Sequence, residues 1–358
     1  MSDHALFTPL TLQRGPSWPH RIALAPLTNL QSNPDGTLSD DEYRWLTKRA
    51  EGGFALTMTC AAHVQPIGQG FPGQLGIFDD AQLPGLTRLA AAIKAAGSVS
   101  AVQLHHAGAR TTADLIGEQP VSASDTEGAR ALKGEEVEGL VEAFVTGARR
   151  AEQAGFDGVE VHGAHGYILT QFLSPETNQR QDDWGGGAAG RSRLLREVLT
   201  GIRKACRPDF QVGLRLSPER FGLETTEAME LAEEVMNSGL IDYLDMSMWN
   251  YSKPAQDPSL GGASLLDLFA GLTRGATRLG VAGHVRSAAD ARRCIDGGAD
   301  FVMAGRAAII HHDLPRRFQA DPDFTHAPLP VSAAHLAAEG LGPSFIDYMR
   351  TWPGFVAS

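Results

Sequence analysis

The sequence predicts an α/β fold that consists of a single (β/α)8 barrel, the TIM-barrel class, and three observations favour it. Short apolar segments alternate with amphipathic segments along most of the 358 residues, and eight such pairs can be counted. No Gly-x-Gly-x-x-Gly motif follows the first strand, which weakens the alternative of an open, doubly wound sheet. No low-complexity linker divides the chain. Right-handed crossovers between parallel strands would close such a sheet into a barrel.

The first half of the chain supplies four strand–helix pairs. Ser39 has the side chain of a helix N-cap, and Gly52-Gly53 is a typical helix stop. Further along, Val137 and Phe144 belong to an amphipathic spacing. The expected strands are 21–27, 54–61, 99–105 and 158–162, and the expected helices are 40–51, 86–96, 135–155 and 191–206.

The second half repeats the pattern and completes the barrel. The expected strands are 211–216, 243–248, 277–282 and 301–304, and the expected helices are 226–238, 265–274, 287–296 and an eighth that begins in 307–310. We therefore expect one domain over 1–358, with the barrel at about 20–312. The Pro- and Ala-rich tail, about 313–358, is expected outside the barrel and is a candidate for a subunit interface.

Composition limits the function classes. The formal charge of −11 argues against a nucleic-acid surface, and no apolar stretch approaches the length of a membrane span. The N-terminal MSDHALFTPLTLQRG lacks the pattern of a signal peptide. Cys60, Cys206 and Cys294 lie far apart without a CxxC spacing, which favours buried thiols in a reducing compartment. We expect a cytoplasmic protein without nucleic-acid or membrane partners.

Polar residues collect at the expected carboxyl ends of the strands, which all point to one mouth of a barrel. This set offers hydrogen-bond donors and almost no carboxylate, so it favours an electron-rich ligand over proton abstraction by Asp or Glu. Its members are Thr28, Asn29, Gln103, His105, His162, His165, Tyr167, Arg215 and Ser217.

Two parts of this mouth suggest anion binding. Gly283 and Gly305-Arg306 follow the seventh and eighth strands, where barrels often hold a phosphate. Arg215 lies within an apolar strand, VGLRLSP, and a buried cation needs a partner. That partner is either an acid such as Glu160, in a structural ion pair, or a ligand that becomes anionic.

Histidine pairs raise the question of a metal. His162 and His165 have the HxxH interval, but neither a third ligand nor the Glu of an HExxH motif is evident. His105-His106 and His311-His312 are weaker candidates. We expect no metal.

At this point the sequence resembles a known family, the old yellow enzymes, or NADH:flavin oxidoreductases. Residues 162–186, HGAHGYILTQFLSPETNQRQDDWGG, carry the most specific part of the resemblance. QLHHAG (103–108), VGLRLSP (212–218) and FVMAGRAAI (301–309) also match family segments, in the expected order along the chain. The resemblance implies an FMN-containing barrel, an ene-reductase that reduces activated alkenes such as α,β-unsaturated carbonyl compounds with NADH or NADPH by a ping-pong hydride transfer.

The resemblance also implies roles for individual residues. His162 and His165 would bind the substrate oxygen, and Tyr167 would donate a proton to the substrate. Arg215 would neutralise the reduced flavin. The residues implied to bind the cofactor are Ala25, Pro26, Leu27, Thr28, Ala61, Gln103, Arg215, Gly283, Gly305 and Arg306.

The end of the chain and three departures concern the substrate. DYMRTW (347–352) is similar to a tail whose arginine enters a neighbouring active site in one branch of the family, so Arg350 is a candidate substrate contact in a dimer or tetramer. The alternative is an ordered tail that packs Tyr348 and Trp352 on its own barrel. Ala109, Trp184 and Leu30 depart from the family's usual residues.

The alternative function is a flavin-free barrel lyase or isomerase of a phosphorylated substrate, although no lysine falls at a strand end.

Overall fold

The computed structural model describes residues 5–357, in which eight parallel strands close into one barrel. Each strand pairs with the next one along the chain, and the last pairs with the first. The barrel prediction is therefore confirmed, and the open-sheet alternative is wrong. Among the described residues, no helix has both the length and the apolar character that a membrane span requires.

Every expected barrel strand and helix is present. The strands are β1 Ile22–Leu24, β2 Leu56–His63, β3 Val99–His105, β4 Gly158–Gly163, β5 Gln211–Leu216, β6 Tyr243–Ser247, β7 Arg278–Ala282 and β8 Phe301–Ala304. The barrel helices are α1 Asp40–Glu51, α2 Leu83–Ala95, α3 Gly134–Gln153, α4 Arg193–Ala205, α5 Thr225–Asn237, α6 Leu265–Ala270, α7 Ala288–Asp296 and α8 Arg306–Ile310.

Shorter secondary-structure elements lie in the loops and in the tail. Two-residue strands Val121–Ser122 and Arg130–Ala131 pair with each other, outside the barrel. The further α-helices are Ala113–Ile116, Ile168–Leu173, Ala188–Arg191, Leu314–Ala320, Ala333–Ala338 and Pro343–Arg350. The 3-10 turns are Ala5–Phe7, Pro66–Gly68, Asp80–Gln82, Gly108–Arg110 and Pro258–Leu260.

Helix boundaries follow local chemistry. The Ser39 side chain accepts a hydrogen bond from the Glu42 N–H, which begins α1 as predicted. A Cβ atom at Gly52 would overlap the backbone carbonyl of His312, so this helix end requires glycine. The expected helix 265–274 was too long, because Gly271 caps α6 after Ala270.

Aromatic rings fill the amino end of the barrel. Trp18 packs edge-on against Tyr243 and Phe301, with ring centroids 5.4 and 4.8 Å away. Side chains at Gly213 and Gly280 would overlap the Tyr243 and Phe301 rings, so these glycines make the room. This end is a packed core, and the barrel opens into a cavity toward the other end.

The tail leaves the barrel and returns to it. The ring of Phe345, on helix Pro343–Arg350, packs edge-on against Trp45 of α1 at 4.9 Å. Arg49, also on α1, donates to the carbonyls of Ala308 and Glu339. These contacts hold the tail helix beside the open mouth.

Candidate active site

A cavity of about 510 Å³ opens at the carboxyl end of the strands. Its volume lies in the range usual for small-molecule and cofactor sites. All the predicted cofactor-binding and catalytic residues line it, whereas the candidate substrate contact Arg350 does not. They are Ala25, Pro26, Leu27, Thr28, Ala61, Gln103, His162, His165, Tyr167, Arg215, Gly283, Gly305 and Arg306.

The end of the first strand explains one side of this cavity. The expected strand 21–27 was too long, because only Ile22–Leu24 belong to the ladder. The N–H of Ala25 still bonds to the carbonyl of Ala304 at 3.0 Å, after which the chain turns along the mouth. Residues 25–28 thus line the cavity.

A hydrogen-bonded chain orders the two histidines. His162 Nδ1 accepts from the Ala164 N–H at 3.3 Å, which leaves Nε2 as its donor toward His165 Nδ1, also at 3.3 Å. His165 Nε2 then donates to the Ser247 hydroxyl at 2.8 Å. His165 has a left-handed backbone with φ 65°, an uncommon conformation for a residue with a Cβ atom. The pair is therefore held by a specific local geometry.

Both imidazoles are neutral. Burial lowers the pKa of His165 to about 3, and the nearby cations Arg215 and Arg110 add to the effect. Burial likewise lowers the pKa of His162, with smaller contributions from His165 and His105. A neutral imidazole keeps one N–H donor, so each ring can offer one hydrogen bond to a ligand oxygen.

Tyr167 lies among these rings and beneath a cation. Its ring centroid is 4.3 Å from that of His105 and 5.1 Å from that of His162. The Arg110 guanidinium lies over the ring at 4.9 Å and also donates to the carbonyl of His165. Burial raises the pKa of Tyr167 and Arg110 opposes the shift. The phenol is therefore protonated at neutral pH and able to donate.

Arg215 has an acidic partner, which was one of the two alternatives allowed by the sequence, but that partner is Asp245 and not Glu160. Arg215 Nη1 donates to Asp245 Oδ2 at 2.6 Å, and both side chains are buried. Glu160 accepts from the Gln103 amide at 2.8 Å and also lies inside the barrel. No Asp or Glu is among the described residues that line the cavity, in agreement with the expectation for the strand ends, and these two acids lie beneath it. Their signal was an acid inside each of two apolar strands, DGVEV and YLDMS.

The opposite end of the cavity is suited to an anion. Gly283 has φ 146°, and a Cβ atom there would lie 2.8 Å from the Trp249 carbonyl carbon. Arg286 and Arg306 both line this part, although sequence analysis found only Arg306. Two cations beside glycine backbone favour a phosphate.

Several lining residues escaped sequence analysis. Arg110 follows Ala109 by one position, so the departure from the family motif still leaves an arginine at the mouth. Ser247 and Trp249 lie at the end of β6 and share the strand-end signal of the predicted set. The tail contributes Tyr348, Met349 and Trp352, which no strand-end rule identifies. The others are Phe71, Arg220, Phe221, Ala282, His284, Val285, Arg286, Met303 and Ile309.

Arg350 is not among the cavity residues of its own chain. It lies on the surface and pairs with Asp347. Its proposed entry into a neighbouring active site stays a prediction.

One cluster of metal-type ligands lies beside the tail. His311, His335 and Glu339 bring potential ligand atoms within 4.8 Å of one another. His311 Nε2, however, accepts from the Ala327 N–H at 3.0 Å, so the proton of the neutral ring lies on Nδ1. Neither nitrogen then has a lone pair for a cation. Among the described residues the three cysteines are free and buried, as predicted.

Comparisons with known proteins agree with this architecture. The model of the NADH:flavin oxidoreductase / NADH oxidase family matches residues 5–323. A probable NADH-dependent flavin oxidoreductase of Bacillus subtilis is 39% identical over 318 residues, which cover 85% of each chain. NADH:fumarate oxidoreductase of Klebsiella pneumoniae is 36% identical over 90% of this chain, which spans only 37% of that protein.

Solved structures give the same result. Morphinone reductase in complex with tetrahydroNAD superposes with a TM-score of 0.79 at 30% identity, covering 96% of this chain and 97% of that one. An old yellow enzyme homologue from Zymomonas mobilis has a TM-score of 0.80 at 26% identity, covering 96% and 99%. The resemblance found in the sequence is thus confirmed.

Proposed function

Because the chain belongs to the NADH:flavin oxidoreductase / NADH oxidase family, and is therefore an FMN- and NAD(P)H-dependent oxidoreductase, we propose that it reduces activated carbon–carbon double bonds by a ping-pong reaction. The observation that carries the proposal is the convergence of His162, His165 and Tyr167 on the cavity that Gln103 and Arg215 also line. These residues offer two donors for an oxygen and one proton. The family and the cofactor type weigh against a flavin-free lyase or isomerase.

The residues present fit FMN. At one end of the cavity Arg215 is buried, and its Nε has no partner among the described residues, so a polar ligand edge has an unused donor to meet. At the other end Arg286, Arg306 and the glycine backbone suit a phosphate. We assign the ring to Gln103, Arg215, Thr28 and Ala61, and the phosphate to the second end. When bound, FMN supplies the two-electron carrier between the nicotinamide and the alkene.

The histidine pair would bind the carbonyl or nitro oxygen of the alkene. A ligand oxygen would take the N–H of His162 that now faces His165, or the N–H of His165 that now faces Ser247. As negative charge develops on that oxygen, each donor contributes on the order of 3 kcal/mol to transition-state stabilisation. Since both rings are neutral, the oxygen receives hydrogen bonds and no proton from them.

Tyr167 would deliver the proton to the substrate carbon. Its buried phenol is protonated at neutral pH, and Arg110 over the ring stabilises the phenolate that donation leaves. General acid catalysis of this kind typically contributes 10²–10⁴-fold, that is, about 3–5 kcal/mol. A further arginine at the mouth, Arg220, favours an anionic or phosphate-bearing ligand such as the nicotinamide dinucleotide.

The relatives narrow the substrate only a little. The names of two of them specify fumarate and acrylate, both alkenes conjugated with a carboxyl group. This chain spans 37% and 32% of those proteins, so their substrates belong to much longer chains. The support that they give is for the class of reaction alone.

The test measures the rates of flavin reduction and of alkene reduction separately, by stopped-flow spectroscopy, in the Tyr167→Phe variant. We expect alkene reduction to slow by about 10²–10⁴-fold, because the proton donor is lost. Flavin reduction by NADH or NADPH should stay within about twofold, because it needs no proton from this residue. Tyr348→Phe is the matched control, since Tyr348 lines the same cavity and should leave both steps intact. Equal damage to both half-reactions in Tyr167→Phe would refute the proton-donor role.

A further inference from the structure

Three adjacent strands carry ionisable side chains into the barrel just beneath the cavity. Glu160 is on β4, Arg215 on β5 and Asp245 on β6, and both acids are fully buried. Neither acid lines the cavity. They reach it through Gln103 and Arg215, which do. Glu160 and Asp245 can therefore act on a bound ligand only through these two residues.

The hydrogen bonds of this group are incomplete. Glu160 Oε1 accepts from Gln103 at 2.8 Å, and Asp245 Oδ2 accepts from Arg215 at 2.6 Å. Within residues 5–357, four other buried polar atoms of this group have no partner: Glu160 Oε2, Asp245 Oδ1, Arg215 Nε and the Tyr243 hydroxyl. Buried polar atoms are nearly always paired, so this concentration calls for a physical explanation.

Charge counting indicates which acid holds a proton. One guanidinium faces two carboxyl groups, and with both ionised the buried group would carry a net negative charge, which is costly in a dry interior. Asp245 makes the short bond to Arg215, whereas the bond to Glu160 comes from a neutral amide. Glu160 is therefore the acid that stays protonated. In agreement, burial and then Asp245 raise the pKa of Glu160 to about 8, with Arg215 opposing.

We propose that Glu160 is a positioning residue for the flavin reaction, a proton store that leaves Arg215 paired with one ionised carboxylate and not two, and that takes up a proton when negative charge appears beside Arg215 in the cavity. This rests on the proposed assignment of Gln103 and Arg215 to the cofactor ring. The groups that face Glu160 are Arg215 on β5, Asp245 and Tyr243 on β6, and the neutral Gln103 on β3. Only Arg215 among them is a cation.

The consequence is a link between proton uptake and electron uptake. An extra negative charge beside Arg215 weakens the effect of that cation on Glu160 and raises the pKa of Glu160 further. Above about pH 8, Glu160 is ionised while the cofactor is oxidised and becomes protonated when the cofactor is reduced. This holds until the pH also exceeds the raised pKa that Glu160 has in the reduced enzyme. Within that window each two-electron reduction takes up one more proton than the cofactor alone requires.

The experiment measures the midpoint potential of the FMN-loaded enzyme against pH, in the wild type and in Glu160→Gln. Glutamine keeps the amide contact but cannot lose a proton. One additional proton per two electrons changes the equilibrium tenfold per pH unit, which is about 30 mV. We expect parallel lines at about pH 7 and, above about pH 8, a slope in the wild type that is steeper by this amount. Parallel lines over the whole range would overturn the proposal.

Glu42→Gln is the matched control. Glu42 is also fully buried and holds a raised pKa, but its partners are the neutral Asn29, Ser32 and Cys60, none of which lines the cavity. This variant should keep the steep wild-type slope. If the Glu42 variant lost it as well, a general effect of buried acids would replace the specific role of Glu160.

A second measurement needs no variant. Infrared difference spectra of the oxidised and reduced wild type should show a protonated-carboxyl band that appears on reduction at about pH 9 and moves in D₂O. Absence of this band would overturn the proposal even if Glu160→Gln failed to fold. A wild type that cannot bind FMN would instead refute the cofactor assignment, so the two failures are distinguishable.

Discussion

The two ends of the barrel are built from the same strands and have opposite characters. β6 begins with Tyr243, part of the aromatic plug formed with Trp18 and Phe301, and ends with Ser247 at the cavity. β8 begins with Phe301, in the plug, and ends with Ala304. The amino end is solid because large rings meet glycines there, whereas these two strands end in the small residues Ser247 and Ala304. In β6 and β8, a decrease in side-chain size along the strand thus separates the packed end from the cavity.

Two aspartates three positions apart show the same difference in polar chemistry. Asp242, toward the closed end, is bound by Arg14 at 3.0 Å, by Arg203 at 2.6 Å and by the Val212 N–H at 2.8 Å. Asp245, toward the cavity, has one oxygen without a partner among the described residues. Complete pairing is typical of a structural ion pair. Of these two aspartates, the incompletely paired one is Asp245, which lies nearer the cavity.

The strongest test of this difference between the two ends removes a ring from the aromatic plug. Phe301→Ala removes a fully buried ring that contacts both Trp18 and Tyr243, and should lower the free energy of unfolding by about 3–5 kcal/mol. Urea denaturation measures the loss. Phe71→Ala, a partly buried ring at the cavity, is the control and should cost less than half as much. Equal losses would mean that the open end is as tightly packed as the closed one.

The open end can be tested by its affinity for anions. His162→Ala removes a donor to a phenolate ligand that mimics the enolate, and should weaken binding by about 1.5–3 kcal/mol, roughly ten- to a hundredfold in Kd. Titration of the flavin absorbance measures it. Because the plug is untouched, the unfolding midpoint should change little. An unchanged Kd would remove His162 from the oxygen site.

Predictability from the sequence also differs between the two ends. Periodicity predicted all eight strands, and the rule that strand ends meet at one mouth correctly grouped Gln103, His162 and Arg215. Glu160 was named from the sequence as a possible partner of Arg215, but the actual partner, Asp245, was missed, because an acid inside an apolar strand does not reveal which residue it contacts. The plug was missed because it depends on Gly213 and Gly280 standing opposite rings on neighbouring strands, a matter of register.

The tail was the least predictable part of the site. Tyr348, Met349 and Trp352 reach the cavity only because the chain folds back after α8, and no local pattern encodes that return. Arg350 illustrates the limit. Its motif predicted a substrate contact, whereas in its own chain it pairs with Asp347 on the surface.

Glu339 precedes the helix Pro343–Arg350, which carries tail residues of the cavity, and its pairing predicts a pH dependence of stability. It accepts from the His312 N–H and pairs with the His312 ring at 2.6 Å. Burial raises the pKa of Glu339, but the His312 contacts, together with the nearby Arg49, outweigh burial and lower it to about 2 from 4.5. A lowered pKa stabilises the fold above the unfolded value, so the contribution is complete above about pH 5 and is lost as pH falls toward 2.

We therefore expect Glu339→Gln to lower the free energy of unfolding by about 1 kcal/mol at neutral pH. The difference from the wild type should shrink steadily below pH 4.5. Denaturant unfolding at a series of pH values measures it. A difference that stays constant down to about pH 3 would show that the carboxylate charge is irrelevant to the tail.

The smallest effect on stability should come from Arg350→Ala. The pair with Asp347 is largely exposed, with 56% and 68% of the side chains accessible, so its loss should change the free energy of unfolding by less than about 0.5 kcal/mol. Measurements of activity distinguish an Arg350 that enters a neighbouring active site from one that is only a surface residue. If Arg350 enters a neighbouring subunit's cavity, kcat/KM for the alkene falls in the variant and in the wild type diluted to a monomer. If it is only a surface residue, both keep the activity of the undiluted wild type. In that case the mouth is completed by Tyr348, Met349 and Trp352 of the same chain alone.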